Sequence, residues 1–131
     1  MDLTTKSITG IIIALLATVF GGLLITGVFV FVSDSSVKND INAFYDAESL
    51  YYSANQAYAN DTTLQAASLS KVQLSAGNTV KVNSAAAGFC IAGKSSTIAT
   101  QVWYRVSGTS AIVSTAPAST ALPTGVTCPT P

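Results

Sequence analysis

GFCIAGKS, Gly88 to Ser95, admits two readings that lead to different folds. Letter by letter it fits G-x-x-x-x-G-K-[ST], the phosphate-binding loop that carries a strand into a helix in nucleotide hydrolases. Such a loop needs several glycines, so that successive backbone N–H groups face the phosphates, and a helix beginning at the Lys-Ser pair. Here the intervening residues Phe89, Cys90, Ile91 and Ala92 form an apolar run of strand character. Beyond Lys94 the chain reads SSTIATQVWYRV and returns to strand within about six residues, whereas a parallel crossover takes a dozen or more. No Asp or Glu follows Asp61 to help hold a magnesium ion. GFCIAGKS is therefore read as a strand that Gly88 opens and Gly93-Lys94-Ser95-Ser96 turns.

Its neighbours have the same character. TVKV (Thr79–Val82), QVWYRV (Gln101–Val106) and AIVST (Ala111–Thr115) are rich in β-branched and aromatic residues, and NSAAAG, KSSTIAT and SGTS between them read as turns. Strands this short with such short connections predict an antiparallel meander of three or four strands. The tail TAPASTALPTGVTCPTP holds all four prolines and reads as irregular structure.

Upstream the periodicity changes. Val37, Ile41, Phe44, Ala47, Tyr51, Ala54 and Tyr58 recur at helical spacing, with Asp40, Asp46 and Glu48 assigned elsewhere on the helix. This amphipathic face is the surface on which the apolar side of the sheet is expected to lie. Before it, Ile8–Val32 is uncharged, and at about 1.5 Å per residue it is long enough to cross a hydrocarbon layer roughly 30 Å thick. It exceeds the apolar region of a cleavable signal peptide and lacks a small-residue cut site. No proline or glycine separates the two runs between Ser33 and Asp61. The expectation is one helix from Thr5 to Asn60, roughly 80 Å long. The fold class is α+β, with residues 1–33 as the hydrophobic helix, 34–61 as its amphipathic half and 62–131 as a small β-rich head.

The chain of 131 residues is neutral overall but divided: net −4 up to Asp61, where all six acids lie, and +4 beyond it. Attraction between an acidic stem and a basic head of another copy is one reading, and ordinary surface decoration is the other. Four scattered cations with little aromatic interleaving are a poor footprint for nucleic acid. With no histidine, no acid in the head and two cysteines, neither a catalytic triad nor a metal site can be assembled, and no cofactor is expected. SLSK (Ser68–Lys71) fits S-x-x-K without its companion motifs. Cys90 and Cys128 beyond a membrane run suggest an oxidising compartment and one disulfide, against the alternative of two unrelated buried thiols. The C-terminal part is accordingly placed outside the cell. Asn60-Asp61-Thr62 is a sequon, making Asn60 a possible glycosylation site at the helix end.

This organisation resembles that of type IV pilins and pilin-like proteins: an apolar N-terminal helix running into an amphipathic half, a small antiparallel sheet on that half, and a late cysteine closing the C-terminus. GFCIAG, QVWYRVSGTSAIV and Cys128 are similar in arrangement to the strands and late cysteine of that family. The resemblance implies a structural subunit, not an enzyme. Such a subunit sits in the membrane before assembly and then polymerises with copies of itself into a cell-surface filament. A prepilin peptidase and an assembly machinery are implied as partners, and the resemblance does not choose among adhesion, motility, DNA uptake and secretion.

Met1 would then be the processed, N-methylated terminus, with a basic leader either already removed or absent. Ile12, Leu15, Leu16, Phe20, Leu23, Leu24, Phe29 and Phe31 would pack the filament core, and Gly21 and Gly22 would be where the helix unwinds. Tyr45 and Tyr52, one heptad apart and off the Val37–Tyr58 face, would be contacts between subunits. One departure is Thr5, where the family usually carries a glutamate. It slightly favours a minor pilin or secretion pseudopilin. The reading from a different class is a single-pass membrane anchor carrying an extracytoplasmic binding domain.

Overall fold

The computed structural model describes residues 34–68 and 71–131. Helix α1 occupies residues 34–55 and is followed by a short helix α2, Asp61–Ala66. Strands β1 (Asn78–Ala85), β2 (Gly88–Ser95) and β3 (Val102–Val106) follow, then a single 3-10 turn at Ser119–Ala121. Among the described residues no helix is long and apolar enough to cross a membrane. The uncharged run Ile8–Val32, and with it the continuity of a helix from Thr5, lies outside them.

The α+β class and the antiparallel meander are as expected: the strands are ordered β1-β2-β3, and both pairings are antiparallel. GFCIAGKS is the whole of β2, paired with β1 from Gly88 to Ser95 and with β3 from Cys90 to Lys94. Gly93 and Lys94 therefore lie inside the strand and do not turn it. Asn83–Ala85, read as turn, continue β1, because the Ala85–Gly88 pair leaves only Ala86 and Ala87 for the hairpin. The fourth strand shrinks to a single bridge, Tyr104 with Val113, closed by two backbone bonds of 2.8 and 2.9 Å.

Strand alternation sends successive residues of β2 to opposite faces. Phe89 and Ile91 join Val80 and Val82 of β1 and Val37, Ile41, Phe44 and Ala47 of α1 in the main core. Cys90 belongs instead to a second cluster with Val106, Tyr104, Leu122, Val126 and Cys128 on the far side of the sheet. Both faces of β2 are covered, which is why its apolar run is continuous rather than alternating.

Two glycines make those close contacts possible. A Cβ on Gly93 would lie 3.1 Å from both Ile41 and Val37, so α1 sits directly on the backbone there. A Cβ on Gly88 would collide with Ser107 and Pro123, where the tail crosses the strand.

The helix departs from expectation at its end and on its flank. It stops at residue 55 rather than at Asn60, with Gln56 in the left-handed region at φ 54°. The N–H of Gln56 and the side-chain amide of Asn55 donate to the carbonyls of Tyr52 and Tyr51, at 2.8 and 3.0 Å, and so cap the helix without a glycine. Asp40 and Glu48 are buried, at 5% and 0% exposure, and only Asp46 of the three is exposed. The reason is geometric. Asp40 stands one turn after Val37 and Glu48 one turn after Phe44, so both fall inside an apolar stripe wider than its apolar members suggest.

Replacing Gly93 by valine is expected to push α1 off the sheet and to lower stability by about 1–3 kcal/mol, the usual cost of overpacking. Thermal unfolding of the full chain in detergent, followed by circular dichroism, measures this; an unchanged midpoint would contradict the close approach of helix and strand.

Candidate functional site: the helix flank, the buried carboxylates and the stapled tail

Along one flank of α1 a row of polar and aromatic groups locks the helix to β3. Trp103 Nε1 donates to Asp34 Oδ1 at 3.4 Å, and the Lys38 ammonium lies 3.9 Å from the centre of the Trp103 ring. Arg105 donates to Asn42 Oδ1 at 2.6 Å and lies 3.6 Å over the Tyr45 ring. The Gly108 N–H donates to the Tyr45 hydroxyl at 3.1 Å, and the Tyr45 ring meets Phe89 edge-on at 5.3 Å. Asp34, Lys38, Asn42 and Tyr45 recur every three or four residues, so each helical turn contributes one contact.

Tyr45 is thus engaged within its own chain through ring and hydroxyl alike. Tyr52 is 37% exposed and stacks on Tyr58 at 4.5 Å, leaving one side of its ring open. The two tyrosines are joined through Phe89 and Tyr58, with Phe89 edge-on to both Tyr45 and Tyr58 at 5.3 and 5.2 Å. Asn60 is exposed, and its side-chain oxygen accepts from Thr63 N–H at 2.9 Å as the N-cap of α2. Met1, Ile12, Leu15, Leu16, Phe20, Gly21, Gly22, Leu23, Leu24, Phe29 and Phe31 lie outside the described residues.

The buried carboxylates have distinct roles. Asp40 accepts from Ser75 N–H, Ser75 Oγ and Asn78 Nδ2 at 3.1, 2.8 and 2.7 Å, and so fixes the turn that opens β1. Glu48 accepts from Ala59 N–H at 3.0 Å, which draws the chain back across the end of α1. Its other oxygen, Oε1, is buried with no partner among the described residues. Burial pushes the Glu48 carboxyl up from 4.5 to about 7, with the Ala59 N–H opposing that rise. Asp61 at the start of α2 accepts from Val82 N–H at 3.2 Å and pairs with Lys81 at 3.7 Å.

The proline-containing tail covers the other face of the sheet. Cys90 and Cys128 form the disulfide, with Cα atoms 5.1 Å apart, which resolves the alternative of two separate thiols. Asn83 Nδ2 donates to Thr127 O at 3.1 Å beside it. Above β3 the returning segment leaves a shallow apolar cleft of about 170 Å³, lined by Tyr104, Val106, Thr109, Ala111, Val113, Pro117 and Ala121. Among the described residues no three His, Cys, Asp or Glu side chains are grouped to hold a metal ion.

Two features escaped the sequence reading. Glu48 carried a signal, since its distance of four from Phe44 places it on the buried stripe. Leu50, 56% exposed on α1, follows Asp46 by one turn and points away from the core.

Two predictions follow from these groups. The Glu48 carboxyl is protonated in the fold where the unfolded chain ionises, so its contribution to stability is full below about pH 4.5 and is lost as pH rises through about 7. The loss is of the order of 3 kcal/mol. Glu48→Gln keeps an acceptor for Ala59 and is expected to flatten that profile, giving a variant more stable than the parent at pH 8. Denaturation across pH 4–8 tests this, and a parent profile as flat as the variant's would refute it. Breaking the Cys90–Cys128 bond, which spans a sequence separation of 38, is expected to lower stability by about 4 kcal/mol on the chain-entropy estimate. Protease sensitivity should then appear first in the tail, and its absence would show that packing alone holds the tail down.

Comparison with protein-family models, with curated proteins and with solved structures finds no match.

Proposed function

We propose that this chain is a structural subunit that polymerises through its N-terminal helix into an extracellular filament like a type IV pilus. The observation that carries this reading is the order of parts. A long uncharged run, Ile8–Val32, leads within two residues into the described helix α1, and α1 packs on a three-stranded antiparallel sheet closed behind by a disulfide. In the bilayer the uncharged run has lipid for a partner, and in a filament it has the same run on neighbouring copies. Exchanging one apolar surrounding for the other costs little, so the membrane acts as a store of assembly-ready subunits.

The disulfide supports placing the head in an oxidising space outside the cell. An N-methylated Met1, a prepilin peptidase and an assembly machinery belong to this reading through the family resemblance. Within it, Thr5 in place of a glutamate suits a minor pilin or a secretion pseudopilin, and the role of the fibre is open among adhesion, motility, DNA uptake and secretion.

Electron microscopy of material sheared from the surface of the source cells, with mass spectrometry of the subunit, is the direct test. Filaments containing this chain, with a mass showing a methylated terminus and a closed disulfide, are expected. A chain that stays in the membrane pellet, soluble only in detergent and never in a fibre, would instead establish a single-pass anchor with an extracytoplasmic binding head.

A further inference from the structure

The outer face of α1 and the tail side of the sheet lie on opposite sides of the head, because α1 covers the face of Phe89 and Ile91 while the cleft is floored by Tyr104 and Val106. Each side carries half of a possible contact. On α1 the exposed Leu50 projects from a surface of Ser49, Ser53 and Ala54, with Asp46 one turn before it. On the tail side the cleft offers about 170 Å³ lined by apolar groups, including the 41% exposed Val113. A cavity of about 150 Å³ admits a benzene-sized group, so this cleft has room for one leucine side chain.

Charge complements the shape. No charged residue follows Arg105, so a leucine entering the cleft buries no unpaired charge from the tail. Lys94 is the cation that β2 carries on that face, while Arg105, rooted on the helix side, reaches the cleft wall by donating to Thr109 O at 3.2 Å. Ala92 pairs with Tyr104 and Lys94 with Val102, which makes Lys94 and Tyr104 diagonal neighbours about 7–8 Å apart on one face. Asp46 and Leu50 are about 5–6 Å apart along α1, so one helix face carries a carboxylate and an apolar group side by side, as the sheet face carries a cation and an apolar cleft. Neither Asp46 nor Lys94 has an ion-pair partner among the described residues, where Lys81–Asp61 is the ion pair present.

We infer that a second copy of this chain docks here: Leu50 of one copy enters the Tyr104–Val113 cleft of the next, with Asp46 of the first against Lys94 of the second. Because knob and cleft lie on opposite sides of the head, the contact is heterologous and repeats, as an open assembly requires. The inference names the partner surface of the proposed filament subunit and rests on that reading.

Disulfide trapping in the full-length chain tests it. Leu50→Cys combined with Val113→Cys, oxidised on the surface of the source cells, is expected to yield a ladder of cross-linked multimers on a non-reducing gel, with neither single variant doing so. Reversing one charge, Asp46→Lys or Lys94→Asp, should lower the cross-linking yield about two- to fivefold, and the double reversal should restore it. Filaments that form without the ladder overturn this contact and leave the filament reading standing. A ladder without filaments supports the contact and sinks the filament reading, and neither filaments nor ladder sinks both. Dimers from Leu50→Cys alone, or Val113→Cys trapped only on a different protein, also overturn it.

Discussion

The coverage of β2 on both faces is the constraint from which the rest of the head follows. A sheet of three strands depends on what packs against its apolar faces, and a small domain has few other sources of stability. Here α1 lies on Phe89, Ile91 and Gly93 and the tail lies on Cys90, so the central strand is enclosed although the sheet has only three members. Gly93 brings the helix close enough for its aliphatic side chains to fill the gap. Cys90 turns the opposite face into a covalent anchor for a segment that, with four prolines, cannot build ladder bonds of its own.

The carboxylates complete the turns of the chain. Asp40 binds the turn before β1, Glu48 binds the backbone after α1, and Asp61 binds the middle of β1. Each accepts a backbone N–H from a segment that follows it in sequence. An acidic residue thereby supplies at three places the organisation that a glycine or proline signal gives elsewhere. The cost falls on Glu48, whose second oxygen is enclosed without a partner. The head is therefore expected to be firmest in mildly acidic surroundings.

Much of this head was legible in the sequence. The apolar run from Phe89 to Ala92 marked a strand, and the failure of GFCIAGKS to lead into a helix excluded a parallel fold; that both faces of the strand are covered appears only in the fold. The spacing of Val37, Ile41, Phe44 and Ala47 identified the packing face of α1. What could not be read were effects that arise only from contacts distant in sequence. No local breaker marks the end of α1 at residue 55; the Glu48–Ala59 bond and the stacking of Tyr58 on Tyr52 draw the chain aside there. Asp40 and Glu48 were assigned to the outer side because charge was taken as a mark of exposure. Their donors, Ser75, Asn78 and Ala59, lie well along the chain. Tyr45 looked free because Arg105 and Gly108 reach it only once β3 is in place.

The position of Asp61 governs how such a head can join another. Its carboxylate occupies Val82 N–H midway along β1, and its partner Lys81 sets a charged chain beside it. At the opposite margin of the sheet, Tyr104 already exchanges both of its backbone bonds with Val113. A foreign strand thus finds no continuous row of open donors and acceptors to zip onto, so fusion of sheets into amyloid-like stacks is obstructed from both sides. Crowding many such heads side by side then leaves side-chain surfaces, rather than shared backbone ladders, as the means by which one recognises another.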